Sequence, residues 1–329
     1  MEKLERNRFV KNLHGPFIIY LLMFAVFSLF INNFFSAGNL NNVMRQAAML
    51  SLVAVGQCFV ILLGGIDLSQ GSVLGLTGVV MGILLNNDVS LGMSVVLSLA
   101  MAISLGLISG YLIAYISVPK FVATFSMGSI ALGLALVISE GRVIWGFPEA
   151  VRRLHDSEIL GLSSVFYVIS IVYLIAYWVL KFTRFGSSVY AIGGIQASAE
   201  LFGIKTRRNE MLCYAISTGC AGLAGIMAVS RLNSARAIMG SGYEFEAIAA
   251  VILGGTSRHG GKGGAPQTIV GVLIVATLRN GLNLIGVSIY MQQVAIGLIM
   301  IIVYIFNENS ASIKDTTTKL FRRRAAHNA

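Results

Sequence analysis

Residues 47–86 read AAMLSLVAVGQCFVILLGGIDLSQGSVLGLTGVVMGILLN, and Asp67 is the single charge among them. An apolar run of roughly 17 to 25 residues crosses the hydrocarbon core as a helix, because a helix satisfies its own backbone polar groups there. The stretch holds two such runs, 47–65 and 71–86, separated by Gly64, Gly65, Ile66, Asp67, Leu68 and Ser69. A soluble strand or core helix has no use for so long an uncharged run, so this stretch fixes an all-α, membrane-embedded reading.

The rest of the chain agrees. Of 329 residues, 56% are hydrophobic and 12% are charged, with mean hydropathy +0.80. Soluble proteins carry about 25% charged residues, so the polar surface is too small to coat a water-soluble body. The net charge of +10 fits basic cytoplasmic loops, and nucleic-acid binding is excluded as a function class. Cys58, Cys213 and Cys220 all lie in apolar runs, in neither a disulfide nor a metal-ligand spacing.

Ten windows qualify as spans: 17–35, 47–65, 71–86, 92–117, 121–139, 163–181, 211–230, a short 243–255, 267–286 and 288–306. Residues 1–16 are expected to form a cytoplasmic tail, 17–306 the transmembrane domain and 307–329 a basic cytoplasmic tail. Lys3, Arg6, Arg8 and Lys11 precede the first span, which reads as a retained anchor. Alternating from there puts Lys120, Lys181, Arg184, Lys205, Arg207, Arg208, Arg258, Lys262 and the C-terminal Lys314, Lys319, Arg322, Arg323 and Arg324 inside. The largest outer segment is 140–162 and the largest inner one 182–210. The Gly-Gly break of VILLGGIDLSQGSVLGL (60–76) has an echo in AVILGGTSRHGGKGGAPQTIVGV (250–272), as duplicated transporter halves do.

Four polar constellations are candidates for function. An Asp at a helix centre costs about 2.5 to 3.5 kcal/mol, so Asp67 needs a protein environment. Asp67 and Ser69 are expected to cap the helix starting near Gln70; the sharper reading is a proton or cation site. The run at 254–264, with Gly254, Gly255, Thr256, Ser257, Gly260 and Gly261, fails as a phosphate loop because Gly263 follows Lys262 where Ser or Thr is needed. A tight cytoplasmic turn is expected there, with His259 a lone histidine. At 190–208 a short amphipathic helix places Ala197, Leu201 and Ile204 on one face and Gln196, Ser198 and Glu200 elsewhere, either on lipid headgroups or docked into a cytoplasmic partner. Finally, Glu244, Glu246, Asn280 and Asn283, with Tyr243 and Arg279, form either a pathway lining for a hydroxyl-rich solute or interhelical pairs.

Taken together, SARAIMGSGYEFEAIAAVILGGTSRHGGKGG (234–264), NGLNLIGVSIYMQQVAIG (280–297), GGIDLSQGS and RFGSSVYAIGGIQASAELFGI resemble the permease subunits of bacterial ABC importers for ribose, xylose, arabinose and galactose. Autoinducer-2 and allose permeases are neighbouring branches. The resemblance implies a type II-like importer permease in the inner membrane that dimerises with a second copy or a paralogue. It further implies a monosaccharide-like solute delivered by a periplasmic binding protein, and cytoplasmic ABC ATPases carrying ATP and Mg. This chain binds no cofactor or metal and is not itself an enzyme in that reading. The same resemblance makes Gln196, Ala197, Ala199, Glu200, Leu201, Phe202, Gly203 and Ile204 an ATPase-coupling helix, with Ala199 and Gly203 in its Ala-x-x-x-Gly positions. Ile195 and Gln196 stand where relatives often carry Asn-Glu-Glu, and Leu132 stands where an Arg commonly precedes Gly-Leu-Ala. The competing class is an ion-coupled secondary carrier, for which Asp67 is the one buried charge available. An integral membrane enzyme would need titratable groups at one depth, whereas His14, His155, His259 and His327 are scattered.

Overall fold

A computed structural model describes residues 2–159, 162–298 and 301. Residues up to Gly281 make one compact unit, and a second begins at Leu282. The helices among the described residues are α1 (Glu2–Phe30), α2 (Ala37–Leu62), α3 (Gln70–Asn86), α4 (Leu91–Ala114), α5 (Lys120–Ser139), α6 (Glu149–Asp156), α7 (Ser164–Phe182), α8 (Arg184–Gly194), α9 (Gln196–Leu201), α10 (Thr206–Leu232), α11 (Tyr243–Leu253), α12 (Ala265–Leu284) and α13 (Ile289–Leu298). Each of the ten predicted windows falls on one of them, the last only in part, since 299–300 and 302–306 lie outside the described residues. The predicted C-terminal tail, 307–329, also lies outside them. At the other end α1 starts at Glu2, so the helix runs through the expected boundary at residue 16.

Among the described residues, five helices are long and apolar enough to cross a membrane: α2, α4, α5, α7 and α10. Their burial separates two roles. In its most apolar window α2 is 89% buried and α10 83%, whereas α4, α5 and α7 are 28%, 33% and 22% buried. The exposed trio is also the more apolar, at mean hydropathy 2.0 to 2.3 against 1.6 and 1.7 for α2 and α10, so α4, α5 and α7 present an apolar outer face and α2 and α10 form the interior. Close approach of these helices depends on small residues, as it does wherever hydrophobic exclusion cannot drive association. A Cβ on Gly222 would meet Ala102 of α4, and one on Gly225 would meet the Leu74 carbonyl of α3.

Helix α3 has 17 residues, too few to cross with room for tilt, and Val73, Leu74, Leu76, Val79 and Met81 are all 2% exposed or less. It packs against α4, α5 and α10, which lets so short a helix sit buried in the bundle. Two minimal sheets complete the unit: β1 (Ile144–Trp145) pairs antiparallel with β4 (Ser234–Ala235), and β2 (Glu158–Ile159) with β3 (Leu162–Ser163). Ser230 of α10 donates to the Val151 carbonyl at 2.6 Å, tying α6 down onto the bundle.

Candidate functional site

The α2–α3 break is built around Asp67, which is fully buried. Its Oδ1 accepts the Ser69 amide at 2.9 Å and the Ser69 hydroxyl at 2.6 Å, and its Oδ2 accepts the Ser217 hydroxyl of α10 at 2.6 Å. Ser69 occupies the N-cap position of α3, but its side chain makes no capping bond. The expected cap is therefore corrected: the carboxylate binds the residues flanking the helix start and a distant helix, because Ser69 has turned its hydroxyl back to Asp67. Gln70 continues the network, donating to Val53 O at 3.1 Å and to the Ser217 hydroxyl at 2.9 Å. With its amide oriented to satisfy both ends, Gln57 accepts the Asp67 amide at 3.2 Å and donates to Gln70 Oε1 at 2.8 Å. A buried carboxylate needs such donors, and these are neutral.

Beside the break, Lys120 Nζ at the start of α5 lies 3.0 Å from Glu210 Oε1 of α10 and 3.4 Å from Leu63 O. The Tyr214 hydroxyl packs against Gly65, leaving no space for a Cβ there. Gly64 has φ +70°, the left-handed conformation that glycine tolerates at no steric cost.

The second break, 254–264, is a folded loop. Ser257 N–H donates to Lys262 O at 2.9 Å, Gly260 N–H to Ser257 O at 3.0 Å, and Thr256, 1% exposed, sits inside and accepts the Gly264 amide at 3.3 Å. Gly255, Gly260, Gly261, Gly263 and Gly264 all have positive φ. At Gly263 a side chain is doubly excluded, by φ +115° and by contact with Thr256. Gly254 presses on the Gln267 carbonyl at the start of α12.

At the predicted coupling segment the helix is shorter than the stretch 196–204: α9 ends at Leu201, and Phe202 and Gly203 (φ +76°) turn the chain. The predicted faces are corrected accordingly. Ala199 is the buried anchor at 3% exposure, while Ala197 and Leu201 are exposed, because the helix stops before Ile204 can share their side. Leu201 is 88% and Phe202 86% exposed, and Ile195 is 66% exposed. Glu200 accepts the Thr206 hydroxyl at 3.0 Å, which fastens the turn to α10.

Among the pathway candidates, Glu246 is 2.9 Å from Arg279 Nη1, linking α11 to α12. Asn280, 3% exposed, exchanges two hydrogen bonds with Asn39 of α2. Asn283 is exposed and accepts from Gln292 at 3.1 Å. Glu246 and Asn280 are thus engaged in interhelical pairs within this chain, since a buried polar group at that depth takes the nearest partner. Glu244 rests its carboxylate against Gly71, and Oε2 is buried without a hydrogen-bond partner. Sequence reading missed Gln57, Gln70, Ser217, Glu210 and Tyr190. Their signal is faint: single polar residues inside otherwise apolar or helical runs.

The chain matches, over residues 39–304, the family described as branched-chain amino acid transport system, permease component. It is 37% identical over 290 residues to the ribose import permease protein RbsC of Haemophilus influenzae, covering 87% of this chain and 90% of that one. The D-allose transport system permease protein AlsC of Escherichia coli is 34% identical over 286 residues, 86% of this chain and 88% of its own. The autoinducer 2 import system permease protein LsrC of Photorhabdus laumondii is 32% identical over 290 residues, 88% and 87% respectively. No solved structure matches the chain. With a family match spanning the bundle from α2 to beyond α13, and relatives aligned over most of both lengths, this chain belongs to that family of transport-system permease components.

Proposed function

We propose that this chain is the membrane subunit of an ATP-driven importer for a monosaccharide or a similar small polyhydroxylated solute. A periplasmic binding protein delivers the solute, a second copy or a similar permease completes the pathway, and separate cytoplasmic ATPases hydrolyse ATP. The chain is a multi-pass protein of the bacterial inner membrane with both termini in the cytoplasm. Its similarity to permeases named for ribose, allose and autoinducer 2 import supports the solute class.

The observation that carries the reading is the pair Leu201 and Phe202, 88% and 86% exposed at the end of a six-residue helix and in the turn after it, with Ala199 of the helix anchored in the core. The segment around them is polar and basic, with Gln196, Glu200, Lys205, Arg207 and Arg208. Two large apolar side chains held out from such a segment fit a pocket on a partner protein, and burying each is worth about 1.5 to 3 kcal/mol.

The test is reconstitution in liposomes with candidate partners, an ABC ATPase and a periplasmic sugar-binding protein. Radiolabelled D-ribose, D-allose and D-xylose are offered in turn, and accumulation of at least one is expected only with internal ATP. Accumulation by the purified chain alone under an ion gradient would overturn the reading.

A further inference from the structure

The C-terminal end of α2 is closed by groups from two other elements. A helix leaves its last four carbonyls without intrahelical partners. Here Val60 O takes the Leu63 and Gly65 amides at 3.1 and 3.0 Å, and Ile61 O takes the Gly64 amide at 2.8 Å. Leu62 O takes the Gly261 amide of the 254–264 loop at 2.9 Å, and Leu63 O takes Lys120. The last two bonds come from outside the helix, so the geometry of the break depends on where the loop and α5 sit.

The loop in turn is seated on the end of α8. A Cβ on Gly193 would collide with Leu62 O and the Gly261 amide, and one on Gly260 with Leu62 O and the Gly193 carbonyl. Gly261, at φ +69°, would meet the Gly194 amide at 3.0 Å. Three backbones therefore touch with no side chain between them. Tyr190 of α8 adds a bond from its hydroxyl to Gly263 O at 2.8 Å. Only Ile195 separates α8 from α9, whose last residue Leu201 and the following Phe202 form the proposed docking point. Internal bonds of the loop and buried Thr256 keep it a single piece, and packed backbones transmit displacement because they cannot compress.

We infer that Tyr190 and Gly261 are positioning residues through which a displacement of the ATPase-docking segment reaches the α2–α3 break. The chain of contact runs from α9 to α8, from Tyr190, Gly193 and Gly194 to the 254–264 loop, and from Gly261 to Leu62. It ends at the strand of backbone from Leu63 to Ser69 that holds Asp67. This linkage rests on the importer reading, which supplies the partner that moves α9.

The test uses the full permease–ATPase complex in lipid with Ile66→Cys, a break residue whose native side chain is 45% exposed. Cys58, Cys213 and Cys220 are buried and give little background. The rate of labelling by a water-soluble maleimide is measured with and without ATP plus vanadate. In the parent the two rates should differ by about fivefold or more, the lower range of ordinary allosteric coupling. Gly261→Ala should bring them within about twofold while the ATPase stays bound and hydrolysis stays within about twofold, because a linkage rather than a docking contact has been cut. Tyr190→Phe, which removes one hydrogen bond and keeps the ring, should lessen the difference partially, and it decides the matter if the Gly261→Ala chain does not fold and accumulate in the membrane. An unchanged nucleotide response in the variants, no response in the parent complex, or loss of the ATPase from Gly261→Ala would each overturn the linkage. Failure of the parent chain to retain any ATPase is a separate result that would remove the importer reading, and the linkage with it.

Discussion

Asn39 and Asn280 exchange two hydrogen bonds of 2.9 Å, each amide giving one and taking one, across 241 residues of sequence. The pair is closed and buried, which makes it a clamp between the start of α2 and the last turns of α12. Asn39 also donates to Phe34 O at 2.8 Å, so the clamp fixes the turn before α2 as well.

Replacing either member leaves the other with an unmatched amide. Asn280→Leu and Asn39→Leu should each lower thermal stability in detergent, by about 0.6 to 1.7 kcal/mol if membrane hydrogen bonds elsewhere are a guide. The double variant should be less destabilised than the sum of the two. Additive losses in a double-mutant cycle would show that the two amides are not coupled.

Solvent access should differ within α12. Asn283→Cys is expected to react with a membrane-impermeant thiol reagent, because Asn283 is exposed, and Asn280→Cys is expected to resist it, because Asn280 is 3% exposed. Rapid labelling of Asn280→Cys in folded protein would put that position on the solute path after all.

The docking pair and its anchor should fail in different ways. Leu201→Ser with Phe202→Ser should leave membrane abundance and melting temperature unchanged, since both side chains are exposed, and should cut co-purification of the ATPase at least about tenfold, the equivalent of 1.4 kcal/mol. Ala199→Asp should instead lower the abundance of the chain itself, because the carboxylate would be buried in its own core. Equal ATPase retention in the double serine variant and the parent would release Leu201 and Phe202 from a docking role.

Asp67 separates the importer from an ion-coupled carrier. Asp67→Asn keeps an acceptor for Ser69 but turns an amide toward Ser217, at a cost of about 1 to 3 kcal/mol. ATP-driven uptake should persist at a reduced level and stay insensitive to a protonophore. Uptake that collapses with the proton gradient in the parent, and loses that dependence in Asp67→Asn, would assign Asp67 to ion coupling.

The spans were legible because apolar length is a local property: AAMLSLVAVGQCFVILL can do little but cross or fill a bundle. Partners were not legible, because Asp67 meets Ser217 at a separation of 150 residues. Nothing in a run of apolar and small residues says which serine will face inward. The face of α9 was misread for a different reason. A helical wheel assumes that the helix continues to Ile204, and the chain leaves it after Leu201 under the control of Gly203. For the polar residues near α12 the sequence left a lining and interhelical pairs both open, because chemistry alone does not name a partner; Arg279 meets Glu246 and Asn280 meets Asn39.

Helix α3 has a biosynthetic consequence. It is made early, yet a large part of its surroundings is made late: α10 flanks it, Gly75 touches the Ala237 carbonyl and Gly71 the Gly240 carbonyl. A ribosome that has reached residue 200 has delivered α3, α4 and α5 but none of those later groups. During that interval a short apolar helix, with Gln70 and Asp67 at its mouth, has no permanent housing. Insertion factors or lipid must hold it until Thr206–Leu232 arrives and closes over it. Nascent chains truncated before Thr206 should therefore be preferred substrates for membrane proteolysis, and the maturation of this protein is timed by a helix more than a hundred residues downstream of the one it shelters.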